Sequence, residues 1–163
     1  MATKKEDVQK HETDQLKVNE KKWSKPLMNA GWTAIPSIII ERQQALGLDA
    51  VDINIILHLA SYWWTEENKP HPSKKTIANA IGIDPRTVQR RIASLEKGGL
   101  IRREERRIFG KGSKTNLYHL DGLIEAAAPY AQEKLDDIAH KQREQSARAK
   151  RKGKPKLKVV SSE

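Results

Sequence analysis

Residues 72–107 read PSKKTIANAIGIDPRTVQRRIASLEKGGLIRREERR, and this stretch decides the fold. Ser73 is a favoured helix N-cap type ahead of Lys74 to Ile81, where Ile77, Ala78 and Ile81 form one apolar face. Gly82 supplies a tight turn. Asp84-Pro85 then marks a second helix start. The carboxylate accepts from first-turn amides, and proline at the first helical position lacks only an N–H that would go unpaired there. That helix runs to about Lys97, with Val88, Ile92 and Leu95 spaced to share a core face, and Gly98-Gly99 stops it. Leu100 and Ile101 lead into a basic strand over about 100–108. Gly110 to Lys114 reads as a flexible turn, and Thr115 to Leu120 as the returning strand with Tyr118 and Leu120 on one face.

Working outward, Pro36 can open an earlier helix with Ile38, Ile39, Ala45 and Leu46 on its apolar face and Gly47 at its end. Asp49 caps the next, in which Ile53, Ile56, Leu57, Ala60 and Trp64 recur at helical spacing. Trp63 and Trp64 read as core and rim, and His58 as half-buried. Residues 1–22 are too polar to offset the entropy of ordering, which predicts disorder. Trp23, Leu27, Met28 and Trp32 then form an irregular arm expected to pack on the domain. Beyond the hairpin, Asp121 caps a last helical region that Pro129 is expected to break or restart. Ile124, Ala128, Ala131, Leu135 and Ile138 alternate in steps of four and three, which suits either a pairing helix or packing on its own domain. The fold expected is mostly α with a small β-hairpin. It divides into an arm over 1–31, a core domain over 32–121, a helical extension over 122–149 and a basic disordered tail over 150–163.

The net charge of +10 is sorted along the chain. Residues 74–114 carry twelve basic and four acidic groups, and 141–163 carry nine and two, while 31–73 and 115–140 are together acidic. Segregated positive charge attracts polyanions, because each neutralised phosphate releases condensed counterions. The chain has no cysteine, which removes disulfides and thiolate metal sites and fits a reducing cytosol. No stretch approaches the ~20 apolar residues of a membrane span, and the N-terminus lacks the apolar centre of an export signal. His11, His58, His71, His119 and His140 lack metal-ligand spacing. Gly110 to Lys114 lacks the spacing and following helix of a nucleotide-binding loop. No nucleophile–base pair, cofactor motif or ligand-sensing domain is evident, so the chain reads as a non-enzymatic protein with no cofactor or metal.

Pro72-Ser73, RTVQRRI at 86–92, LEKGGLI at 95–101 and the adjoining basic hairpin resemble the winged helix-turn-helix domains of bacterial regulators and of plasmid and phage replication initiators. The resemblance spans about residues 32–120 and implies double-stranded DNA as partner. With Val88 facing the core, steps of about 100° place Arg86, Arg90, Ala93 and Lys97 on the opposite face and Gln89 at its edge. A helix fits the major groove, where Arg pairs with guanine and Gln with adenine through two hydrogen bonds each. Arg86, Gln89 and Arg90 are therefore the expected base readers, with Ala93 small enough for close approach or a thymine methyl. Phosphate contacts are expected from Ser73, Lys74, Lys75 and Thr76 at a helix N-terminus and from Thr87, Arg91 and Lys97 around the reading helix. Arg106, Arg107, Lys111, Ser113 and Lys114 are expected to add contacts from the wing, with Glu104 and Glu105 orienting its arginines across the strands. A transcriptional regulator, dimeric through the last helix, is the reading favoured. A replication or partition initiator at origin repeats and a protein-docking winged helix are the alternatives, the latter disfavoured by the cationic face of Arg86, Arg90 and Lys97.

Overall fold

The computed structural model describes residues 17–108 and 112–150, with only the backbone of 107, 108, 112 and 113. The two-helix unit read from residues 72–107 is present. Helix α5, Lys74–Ile81, starts where Ser73 accepts from the Thr76 amide. It ends at Gly82, whose φ of 77° is a left-handed conformation that glycine adopts without penalty. Helix α6, Pro85–Lys97, starts where Asp84 accepts from the Arg86 amide and buries Val88, Ile92 and Leu95. Both packs of side chains meet helix α4, Ala50–Ser61. Asp49 caps α4 through the amides of Val51 and Asp52, and the Asp52 carboxylate accepts in return from the Asp49 amide. Ile55, Ile56 and Leu59 of α4 lie with Ile77, Ala78, Val88 and Ile92 in one continuous core. His58 is half-buried, whereas Trp64 lies past the helix end and is largely exposed; Trp63 is half-buried beneath the Lys69 ammonium.

Ahead of α4 the chain departs from expectation three times. Residues 17–23 are helical (α1) although their composition predicts disorder. Helix hydrogen bonds are internal to a segment, and Lys and Glu are good helix formers, so a local helix needs no core of its own. Helix α2, Lys25–Asn29, follows after a break at Ser24 and buries none of its residues. The arm therefore does not pack on the domain: Trp23, Leu27 and Trp32 are all more than half exposed. An apolar residue signals a need for cover without saying what supplies it. Helix α3 covers only Ser37–Glu41, with Pro36 as its N-cap, and turns occupy 42–47. The buried anchors are Ile39 and Leu48, and the chain must leave the helix for Leu48 to enter the core; the Leu48 amide closes that turn on the Gln43 carbonyl at 2.8 Å.

The wing also differs from a simple hairpin. Strand β1, Arg102–Glu104, pairs antiparallel with β4, Leu117–His119, while β2, Arg107–Ile108, pairs with β3, Gly112–Ser113. The expected single strand over 100–108 is thus interrupted at Glu105 and Arg106, and Gly112 and Ser113 belong to a strand rather than a turn. At the interruption Arg106 donates to the Thr115 carbonyl at 2.8 Å and its hydroxyl at 3.1 Å. The Tyr118 amide donates to the Pro70 carbonyl, which pins the loop before α5 to the wing.

Helix α7, Asp121–Lys150, is continuous through Pro129, against the expected break, and Asp121 is its first residue rather than its cap. An interior proline forfeits one backbone bond and crowds the preceding turn. Tertiary contacts on both sides hold the helix regardless. Before the proline, Leu123 and Ala127 are buried and the Leu123 amide donates to the Leu100 carbonyl at 2.9 Å. Beyond it, Lys134 pairs with Glu41 at 2.6 Å, and Arg42 lies over the Tyr130 ring and 3.8 Å from Glu133. The first turn of α7 also sits directly on the glycine stop of α6: a Cβ on Gly122 would fall 1.9 Å from the Gly99 carbonyl oxygen.

Candidate nucleic-acid interface

The candidate interface comprises the outer face of α6, the start of α5 and the base of the wing. Because Val88, Ile92 and Leu95 occupy the core side of α6, the opposite side has to face out. Arg86, Gln89, Arg90, Ala93 and Lys97 are all exposed there. Lys74 at the start of α5 donates to the Gln89 side chain at 3.1 Å, so the two helices of the unit share one polar surface. Lys75 and Thr76 are exposed beside it. Ser73 serves mainly as the cap, its hydroxyl 2.7 Å from that of Thr76.

Between α5 and the wing lies a cleft of about 210 Å³, lined by Pro72, Ser73, Lys74, Lys114, Thr115, Asn116 and Tyr118. It sets the wing lysine Lys114 across from Lys74, two residues forty positions apart in sequence. The α5 dipole adds its positive end at the same place. Thr115 and Asn116 were not legible as lining residues, since only the hairpin geometry brings them to α5. Tyr118 is buried in the core beneath the cleft, and its phenol is pushed above the ordinary tyrosine range by that burial.

Other expected phosphate contacts are engaged within the protein. Arg91 pairs with Asp49 at 2.7 Å and lies 3.8 Å from Asp52, tying α6 to the cap of α4. The backbone amide of Asp52, against the opposing effect of desolvation, and then the charge of Arg91 hold the Asp49 carboxyl below the usual aspartate range. Asp52 is pushed the other way, chiefly by burial, and its Oδ1 has no hydrogen-bond partner. Arg106 is committed to Thr115, and Thr87 is half-buried. Lys111 lies outside the described residues, as do the side chains of Arg107 and Ser113.

A pair that the sequence did not reveal connects reading helix and wing. Arg103 of β1 donates to Glu96 through its guanidinium, and its backbone amide reaches the same carboxylate at 3.2 Å. That hydrogen bonding lowers the Glu96 carboxyl and raises the Arg103 guanidinium. Seven residues and the Gly98-Gly99 stop separate the two, so no periodicity links them. Glu104 of the wing also pairs differently from expectation. Glu104 lies 2.9 Å from His119 and only 4.0 Å from Arg102 on its own strand.

Among the described residues no group of three His, Asp or Glu side chains could hold a metal ion, and no helix is long and apolar enough to cross a membrane.

Residues 46–101 match the sequence model of a helix-turn-helix domain. The N-terminal domain of DnaD protein from Geobacillus kaustophilus HTA426 has a similar fold at 16% identity, with a TM-score of 0.50 over 71% of this chain and 93% of that one. A possible transcriptional regulator from Methanosarcina mazei Go1 overlays less well, with a TM-score of 0.41 at 18% identity over 66% and 85% of the two chains. No curated protein sequence matches the chain. With the hairpin that follows α6, residues 46–101 belong to a winged helix-turn-helix fold.

Proposed function

We propose that the protein is a non-enzymatic transcriptional regulator that binds a specific double-stranded DNA site in the cytoplasm. The observation that carries this reading is the exposed cationic face of α6, continuous through the Lys74–Gln89 bond with the start of α5. Helix α6 enters the major groove, where Arg86, Gln89 and Arg90 read base edges and Ala93 permits close approach. Lys74, Lys75, Thr76 and Lys97 meet phosphates beside it, and Lys114 does so from the wing. The Arg103–Glu96 pair fixes the wing relative to α6. The exposed apolar stripe of α7 supports pairing of two copies, which presents two reading helices to one site. Its basic end, with Lys141, Arg143, Arg148 and Lys150, supplies a sequence-independent tether together with the residues that follow.

Genome-wide mapping of binding sites, followed by titrations on the strongest site and on random duplex, tests the reading. Arg90→Ala should weaken the specific site by about tenfold or more and random DNA far less. Lys114→Ala should weaken both alike and lower the salt slope by about one. Sites at one or two promoters are expected. Clustered repeats beside a replication gene would move the role to origin binding, and equal loss on both duplexes would remove Arg90 from base readout.

A further inference from the structure

Among the described residues, two of the exposed apolar surfaces bear on assembly. One is the outer stripe of α7, where Ile124, Leu135 and Ile138 are 50%, 59% and 43% exposed. The other is the arm, where Trp23, Leu27 and Trp32 are 57%, 59% and 52% exposed. Their charges are opposite. Residues 17–32 carry four lysines and one glutamate, whereas 121–137 carry five acids and a single lysine, Lys134. That lysine is already paired with Glu41. At steps of 100° per residue, Glu125, Gln132 and Asp136 run along the open edge of the α7 stripe. The other edge packs on the domain through Leu123, Ala127 and Tyr130.

We propose that the outer stripe of α7 is covered by the N-terminal arm, residues 17–32, of a second copy of this chain. The proposal rests on the dimer reading above and names what makes the contact. A reciprocal exchange of arms is isologous, so one surface satisfies both copies. Trp23, Leu27 and Trp32 cover the aliphatic stripe, and Lys21, Lys22 and Lys25 lie against Glu125 and Asp136. Direct pairing of two α7 stripes is disfavoured by charge. Centred on Ala131 and antiparallel, it sets Glu125 beside Asp136 of the second copy, and like charges there oppose association. The arm has not folded back onto its own α7, since both surfaces remain bare in the single chain. Ser24 between α1 and α2 has a φ of 76°, a conformation costly for serine that persists where surroundings hold it. What holds it is local: the Ser24 amide donates to the Glu20 carbonyl at 2.9 Å and the Met28 amide to the Ser24 carbonyl at 3.2 Å, while no residue of α2 is buried.

Sedimentation equilibrium of the full chain, combined with hydrogen exchange of residues 17–32, tests the proposal. A dimer is expected, weakening as salt rises, with the arm protected. The double variant Trp23→Ala/Trp32→Ala and the single variant Leu135→Glu should each weaken it by about thirtyfold or more, with unchanged thermal unfolding of the dilute, unpaired chain. Lys21→Glu/Lys22→Glu should weaken it too, and adding Glu125→Lys/Asp136→Lys should restore it. This charge exchange keeps the test valid if a tryptophan variant misfolds. A dimer broken by Leu135→Glu yet indifferent to every arm variant would overturn the proposal and leave the dimer reading standing. A monomer would overturn both, and an arm protected within that monomer and released by Leu135→Glu would identify the chain's own arm as the cover.

Discussion

Helices α6 and α7 adjoin the same Gly98-Gly99 turn, yet their outer faces differ in kind. Helix α6 buries Val88, Ile92 and Leu95 and presents Arg86, Gln89, Arg90 and Lys97 outward, so its large apolar side chains are all covered. Helix α7 has 30 residues but buries only Leu123 and Ala127, leaving Ile124, Leu135 and Ile138 outside. The first pattern belongs to a helix complete within its domain, with a cationic outer face in solvent. The second belongs to a helix anchored at one end and along one edge, with an apolar face left in solvent. Equal helical propensity thus says little about equal coverage, because packing of a face decides how much of a helix is held.

The largest expected effect would break the anchor of α7. Gly122→Ala should cost about 3 kcal/mol, since its Cβ would strike the backbone of Gly99, which cannot swing aside as a side chain would. Chemical denaturation measures this, and a change within error would mean that α7 shifts freely on the turn. Next, the two faces of α7 should separate in a paired comparison. Leu123→Ala should lose about 3 kcal/mol through lost burial and a residual cavity. Leu135→Ala should lose less than about 0.5 kcal/mol in the dilute, unpaired chain. Similar losses at both positions would remove the distinction between anchored and open faces.

A smaller effect than loss of the α7 anchor concerns the link from α6 to the wing. Arg103 holds the Glu96 carboxyl below its ordinary value, so folding is linked to keeping that group ionised. Such a contribution is present above the unfolded pKa, near 4.5, and is lost as pH falls through the lower folded value. Glu96→Gln should therefore cost about 1 kcal/mol at neutral pH, a modest figure because both partners are partly exposed to solvent screening. The cost should shrink as pH is taken below 4.5. A pH-independent cost would assign the effect to packing of the glutamate stem instead.

What the sequence by itself determined was local: where helices start and stop and which face of each turns inward. Ser73, Asp84 and Asp49 cap as their types and neighbours require, Gly82 turns, and the spacing of Val88, Ile92 and Leu95 orients α6. Each of these signals acts within a few residues, through a cap hydrogen bond, a permitted φ or a helical repeat. The exposure of the expected base readers followed from the same repeat. The tertiary structure decided everything that depends on a partner distant in sequence. It paired Arg91 with Asp49 and Arg103 with Glu96, and brought Lys114 to the cleft beside Lys74. It carried α7 through Pro129 because Leu123 on one side and Lys134 on the other are tied to the domain. It also left the tryptophans of the arm outside. Hydrophobicity expresses a demand for burial that has no direction, and only the assembled surfaces determine where that demand is met.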